Sequence, residues 1–165
     1  MCMKYVNTTA TCYKSVVIEN EKIASFNAPF MSIKSIENES GVFLDDFTVV
    51  TQIDFLGTNN PKHKADNPLE QKKTIDFIVR LTKCVKEPSK RVAYDLDNFS
   101  IDLADMDEKQ QVDLACFGFL NYTRITNVKG LDLPGGTGKY VIKILVKNAE
   151  DKEYSIQSMS KLIIL

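Results

Sequence analysis

The clearest structural signal in this chain is the run Phe47-Thr48-Val49-Val50-Thr51-Gln52-Ile53-Asp54-Phe55. Residues 47, 49, 51, 53 and 55 form a mostly apolar face, whereas Thr48, Gln52 and Asp54 point the other way. An alternation with period two is typical of a strand with one face against a core. The run therefore predicts a half-buried β-strand.

The same alternation recurs along the chain. Residues 74–83 and 139–147 show it clearly. Further runs rich in β-branched or aromatic residues predict strands at residues 10–18, 30–36, 99–103, 112–122 and 154–165. Turn-forming residues lie between these runs, so the pattern indicates an all-β chain.

Helical and loop signals are few. Residues 105–112 predict one or two helical turns with Asp105 as N-cap, and residues 67–73 predict a short helix with Pro68 at its first position. Residues 57–73 lack apolar periodicity and predict an exposed, mobile loop.

About eight short strands without a long helix favour an antiparallel β-sandwich, Ig-like or C2-like, with one or two short helices; a barrel is the alternative. We expect residues 1–165 to form a single domain. The aromatic residues predicted to fill its core are Phe47, Phe55, Phe77, Phe99, Phe117, Phe119 and Tyr140.

Composition limits the possible partners. The 165 residues carry 21 basic and 22 acidic side chains, a net charge of -1, so no global field attracts nucleic acid or an anionic membrane. No apolar run is long enough to span a bilayer, and residues 1–9 do not resemble a secretory signal. We therefore expect a cytoplasmic protein with neither a nucleic-acid nor a membrane partner.

The four cysteines are far apart and form no C-x-x-C pair. Cys12, Cys84 and Cys116 are predicted to lie in strands, and all four, Cys2 included, are expected to be reduced thiols of a reducing compartment.

The most acidic part of the chain runs from residue 95 to residue 108. An EF-hand is excluded, because Phe99 occupies a ligand position and Ser100 stands where that loop needs glycine. The main interpretation is a solvated acidic rim. Loops of a sandwich can still gather carboxylates around calcium, and the candidate metal ligands are Asp95, Asp97 and Asp102.

Other candidate motifs lack residues that their chemistry requires. Gly138-Lys139 lacks the spacing and the following helix of a phosphate-binding loop. The single histidine, His63, has no second histidine with which to share a metal or a proton relay. No catalytic residue and no cofactor are predicted. The lysines and the arginine at positions 83, 86, 90, 91, 139, 143 and 147 are interpreted as solubilising and edge-protecting charges.

The run Ser160-Lys161-Leu162-Ile163-Ile164-Leu165 ends in four apolar residues. In a strand, alternate side chains of this run need cover on both faces of the sheet. We expect Leu162, Ile163, Ile164 and Leu165 either to lie centrally in a sheet or to form an interaction surface.

From about Asp46 onward, the order of features resembles a bacterial β-sandwich family of unknown function. The features are the strand from Phe47, a long loop, the strand at residues 77–83, an acidic Phe-x-Ile segment and a closing hairpin at residues 131–165 that enters through Gly138-Lys139-Tyr140. The resemblance covers about two thirds of the chain. It implies the sandwich fold and assigns no functional residue.

These observations predict a non-catalytic cytoplasmic β-sandwich that acts as a protein-interaction or assembly module of a bacterium, its phage or another mobile element. Its partner is another protein or a second copy of itself. The alternatives are a sandwich that binds a small ligand or calcium, and a hydrolase that uses carboxylates.

Overall fold

Strands form most of this protein. The structure, a computed structural model, describes residues 3–165 apart from the side chain of Ala28. The strands and the helix are β1 (Val6–Glu19), β2 (Lys22–Phe30), β3 (Ser32–Ile33), β4 (Ser35–Asn38), β5 (Gly41–Leu44), β6 (Phe47–Leu56), β7 (Thr74–Lys83), β8 (Ala93–Asp102), α1 (Glu108–Phe117), β9 (Phe119–Val128), β10 (Leu131–Asp132), β11 (Gly138–Asn148) and β12 (Ser155–Ile164). Two 3-10 turns cover Pro61–Asp66 and Pro88–Lys90. Within residues 3–165, no helix is long and apolar enough to cross a membrane.

The strands form three sheets. A four-stranded sheet has the order β2-β1-β6-β9, and a five-stranded sheet has the order β3-β12-β11-β7-β8. A small third sheet has the order β10-β5-β4. Adjacent strands are antiparallel except for the short parallel pair of β12 with β3. The predicted all-β sandwich with a short helix is confirmed.

The core lies between the inner faces of the two large sheets. Phe47, Phe55, Phe77 and Tyr140 are almost completely buried there, as predicted. Phe99 is half-buried and stacks on Phe77 with ring centroids 5.2 Å apart. The core prediction was wrong for the two aromatic residues that flank the end of α1: Phe117 is 68% exposed and Phe119 is 39% exposed.

The two large sheets are also joined where β12 crosses the inner face of β1. The Gln157 side chain bonds the backbone of Met3 and Val6, and Ser160 Oγ donates to the Ala10 carbonyl at 3.0 Å. Thr8 and Ser158 share a hydrogen bond of 2.5 Å between their hydroxyls. These side chains satisfy polar groups on the part of β1 that β2 does not pair.

The strand predicted at residues 112–122 was wrong over its first half, because a capping box starts a helix there. Asp107 Oδ1 accepts from Gln110 N at 2.7 Å, and Gln110 Oε1 accepts from Asp107 N at 2.9 Å. Asp107 rather than Asp105 is therefore the N-cap of α1. Gly118, at φ +75°, ends the helix in the left-handed conformation that glycine tolerates.

The loop at residues 57–73 is less exposed than predicted. The side chain of Asn67 is fully buried, donating to the Leu56 carbonyl at 2.8 Å and accepting from Leu69 N at 3.0 Å. Leu69 is buried in the core. Residues 68–72 form turns rather than the predicted helix, because Asn67 uses its amide to fold the chain back onto β6.

Candidate interaction surfaces

The three candidate metal ligands on β8 are each used in a different way. Asp95 forms an ion pair with Arg80 on the neighbouring strand β7. Asp97 accepts from Arg124 Nε at 2.8 Å and from Thr126 Oγ1 at 2.7 Å, both on β9. Asp102 Oδ1 accepts from the Ala104 amide at 2.9 Å. Within residues 3–165, no group of three or more His, Cys, Asp or Glu side chains is arranged to hold a metal ion.

A bulge on β8 explains why Asp95 and Asp97 diverge. The register between β7 and β8 shifts at Val79/Arg80, so Asp95 opposes Arg80 while Asp97 opposes Val79. An irregularity of this kind places successive side chains in new directions. Asp97 therefore links the edge of the five-stranded sheet to the edge of the four-stranded sheet.

The surroundings of Asp97 favour its charged form. Burial raises the pKa of this carboxyl, but the hydrogen bonds from Arg124 and Thr126 and the charge of Arg124 outweigh burial, so its pKa lies below the usual value. Arg124 also lies 4.9 Å from the centroid of the Phe99 ring. The arrangement is a structural ion pair between two sheets.

The four C-terminal apolar residues divide between the two faces of the five-stranded sheet. Leu162 and Ile164 are buried in the core, whereas Ile163 is 42% exposed and Leu165 is 60% exposed. Ile163 N donates to the Met31 carbonyl and Leu165 N to the Ile33 carbonyl, so this end of β12 has a strand on each side. Their role in an interaction stays a prediction.

A two-stranded hairpin extends beyond the four-stranded sheet. Strand β6 pairs with β1 only as far as Tyr13, so residues 14–27, here called the arm, pair only with each other. Its tip is a two-residue turn in which Asn20 and Glu21 have φ of 48° and 62°. Strand β2 is the outermost strand of the four-stranded sheet, so no other strand pairs with its outer edge.

The arm exposes apolar side chains. Val17 is 38% exposed, Ile18 53% and Phe26 42%. The sequence predicts a strand over residues 10–18, within β1, but no strand at β2. The turn residue Asn20 and the apolar Ile23 beyond it were the available signal for β2. This signal is weak because a hairpin that covers no core shows no period-two alternation.

A cavity of about 440 Å³ lies on the outer face of the five-stranded sheet, where β7, β11 and β12 meet. We call it the basic groove, and its lining residues are Thr82, Lys83, Cys84, Val85, Lys86, Arg91, Val141, Lys143 and Met159. The lining contains four cationic side chains and no carboxylate. Its sequence signal was limited, because residues 82–91, 141–143 and 159 are brought together only by strand pairing.

One polar group at the basic groove lacks a hydrogen-bond partner. Thr82 is 4% exposed, and its Oγ1 is buried without a partner. An unpaired buried hydroxyl costs about 1–3 kcal/mol.

A second cavity, of about 630 Å³, lies at the base of the arm. Phe30, Ile33 and Leu165 supply its apolar lining. Its charged lining is balanced, with Lys14 and Lys34 opposed by Asp45 and Asp46. The balance gives no preference for the charge of a ligand.

The described cysteines are free thiols in different environments. Cys12 is in β1, and burial raises the pKa of its thiol to about 12. The prediction that Cys84 and Cys116 lie in strands was wrong: Cys84 follows β7, Cys116 is in α1, and both are exposed. Cys2 lies outside the described residues.

Comparisons with known proteins assign no family. No family model matches the chain, and no curated protein matches it. One solved structure, the CooA pilin subunit from enterotoxigenic Escherichia coli, aligns at 10% identity over 97% of this chain and 95% of that chain, with a TM-score of 0.37. A TM-score of this size does not establish a shared fold. The β-rich fold is the part of the sequence-based family resemblance that the structure supports.

Proposed function

We propose that this protein is a protein-interaction module that acts in assembly, and that the arm is its contact element. The observation that carries the proposal is the combination of exposed apolar side chains and an open strand edge on a hairpin that covers no core. A partner that contacts the arm gains both apolar burial and backbone hydrogen bonds. Addition of a strand to an open sheet edge is a common mode of protein recognition.

The energetics favour a docked arm over a free one. A two-stranded hairpin is marginally stable in water on its own. Val17, Ile18 and Phe26 each leave about half of their surface exposed, so covering each contributes about 1 kcal/mol. Docking therefore orders the arm while it adds binding energy.

We also propose a cytoplasmic location. The exposed free thiols of Cys84 and Cys116 support it, because such thiols persist in a reducing compartment. Fractionation of the native cells, with each fraction probed for this protein, tests the location.

Binding measurements with arm variants test the proposed function. The tagged full chain is used to isolate a partner from the native host, and the partner is identified by mass spectrometry, purified and titrated against three forms of the protein. These forms are the wild type, Ile18→Lys and the control Ser25→Lys, which also adds a lysine to an exposed position of the arm. We expect Ile18→Lys to weaken binding about tenfold or more, because it places a charge in an apolar contact.

The control should bind within about threefold of the wild type, since a surface change of this kind is worth under about 0.5 kcal/mol. Equal binding by all three forms would show that the arm is not the contact. If no purified protein binds at all, assembly through the arm is excluded as the function.

A further inference from the structure

We propose that the basic groove binds the acidic segment of a second copy of this chain, residues 102–108, so that copies associate head to tail. This proposal does not rest on the arm, because neither surface includes an arm residue. It assigns a site and a ligand chemistry that the proposed function leaves open.

The groove carries uncompensated positive charge. Lys86, Arg91 and Lys143 take part in none of the ion pairs found among residues 3–165. Lys83 does not add to this charge, because its Nζ donates to the Gly135 carbonyl and lies 5.9 Å from the centroid of the buried Tyr140 ring. Three cations around a cavity of about 440 Å³ favour a ligand with several carboxylates.

The floor of the groove adds a second, independent indication. Val85, Val141 and Met159 line the same cavity, so the ligand also needs an apolar part. The groove therefore fits an acidic peptide segment that includes an apolar side chain.

The acidic segment of this chain has that chemistry. It reads Asp102-Leu103-Ala104-Asp105-Met106-Asp107-Glu108, with four carboxylates and no cation. The four carboxylate residues are exposed and Met106 is half-exposed. Asp102 and Asp107 accept bonds from nearby backbone amides of their own chain, which holds the segment in one conformation. Asp105 and Glu108 are available for pairing with cations.

The two surfaces lie at opposite ends of the same strand pair. Thr74, at one end of β7, pairs with Asp102, and Thr82, at the other end, pairs with Ala93. Eight residues of strand separate these ends by about 27 Å. A surface at one end that complements a surface at the other produces a heterologous contact, which repeats along a line unless its rotation closes a ring.

Nucleic acid fits this groove less well. The apolar side chains of the lining are aliphatic, so no ring is available to stack against a base. The chain has a net charge of -1, which gives a polyanion no long-range attraction. An acidic protein segment is therefore the favoured occupant.

Charge reversal with analytical ultracentrifugation tests the proposal. The groove variant is Lys86→Glu with Arg91→Glu, and the segment variant is Asp105→Lys with Glu108→Lys. Two controls make the same charge changes elsewhere on the surface: Lys62→Glu with Lys64→Glu, and Glu37→Lys with Glu39→Lys. All are compared with the wild type at ionic strengths of about 0.01 M and about 1 M, between which the screening length falls from about 30 Å to about 3 Å.

We expect the wild type and both controls to associate at low ionic strength and to become monomeric at high ionic strength. The groove variant and the segment variant should each be monomeric throughout. Their equimolar mixture should associate at low ionic strength, since the intact groove of one variant can meet the intact segment of the other and the two reversed surfaces also carry opposite charges. Combining all four substitutions in one chain should restore association.

The proposal is overturned if the two variants sediment like their controls, or if the wild type is monomeric at low ionic strength. Binding of a labelled single-stranded oligonucleotide that is lost in the groove variant, with unchanged sedimentation, would identify nucleic acid as the occupant instead. Ile18→Lys should keep the salt-dependent association. The experiments therefore distinguish a failure of the proposed arm contact from a failure of the proposed groove contact.

Discussion

Asp97 connects two sheets that share no backbone hydrogen bond at this edge. Its side chain is only 14% exposed, and it holds Arg124 over the Phe99 ring, which in turn stacks on Phe77 in the core. One carboxylate thus orients a chain of side chains from the surface to the core. Its value for stability should exceed that of an ordinary surface ion pair.

The substitution Asp97→Asn tests this role. Because its folded-state pKa lies below the usual value of about 3.9, the carboxylate stabilises the fold fully above that pH and loses this effect as the pH falls through the folded-state pKa. We expect the substitution to lower the free energy of unfolding by about 1.5–3 kcal/mol at pH 7, as for a hydrogen bond to a charged group. Urea titrations at pH 7 and at about pH 3 should show the difference shrinking in acid.

The matched control for this prediction is Asp95→Asn. Asp95 is 49% exposed and pairs with Arg80 within one sheet, so its removal should cost under about 1 kcal/mol. Equal losses for the two variants, or a loss at Asp97 that does not depend on pH, would contradict the assigned role.

Successive side chains of strand β12 lie on opposite faces of the five-stranded sheet. Ile164 points into the core at 1% exposure, while Ile163, next to it, is 42% exposed on the outer face. We expect Ile164→Ala to lower the free energy of unfolding by about 2–5 kcal/mol, because it removes buried methyl groups and leaves a cavity. Ile163→Ala should cost about 1 kcal/mol or less. Chemical denaturation of both variants measures the difference, and equal costs would refute the assignment of faces.

Elements with one buried face were predictable, and the others were not. The strands β6, β7 and β11 coincide with the runs at residues 47–55, 74–83 and 139–147, although β6 is buried on both faces at residues 47–51 rather than half-buried as predicted. Helix α1 was hidden because its residues are no more apolar on one side than on the other, and its start depends on the capping box of Asp107 and Gln110. Strand β2 was not predicted because most of its residues pack against no part of the core.

The candidate surfaces were harder to foresee than the strands. The acidic run was visible in the sequence, but the bulge that separates Asp95 from Asp97 depends on the register of β7 against β8. The basic groove unites Lys86, Lys143 and Met159, which are distant in sequence. Pairing of strands over long separations, which local periodicity does not encode, decides which charges meet.

The whole molecule separates into a sandwich and an arm. No residue of the buried core cluster lies between residues 14 and 27. We expect a variant in which residues 15–26 are replaced by an Asn-Gly turn to unfold cooperatively, with a midpoint within about 2–4 °C of the wild type, since this corresponds to a change of about 1 kcal/mol. Differential scanning calorimetry measures it.

The same variant should lose binding to the partner that the wild type recruits. Loss of cooperative unfolding in calorimetry would show instead that the arm belongs to the folding unit. If the variant keeps both its fold and its binding, the contact lies on a surface other than the arm.

The crossing of β12 over β1 has a consequence during protein synthesis. The bond from Gln157 to the Val6 carbonyl joins residues 151 positions apart, and a ribosome that adds about 5–20 residues per second needs about 8–30 s to make that interval. Throughout this time the inner side of β1 lacks its native cover. The first half of β1 therefore folds against its native partner only after Gln157 has been made.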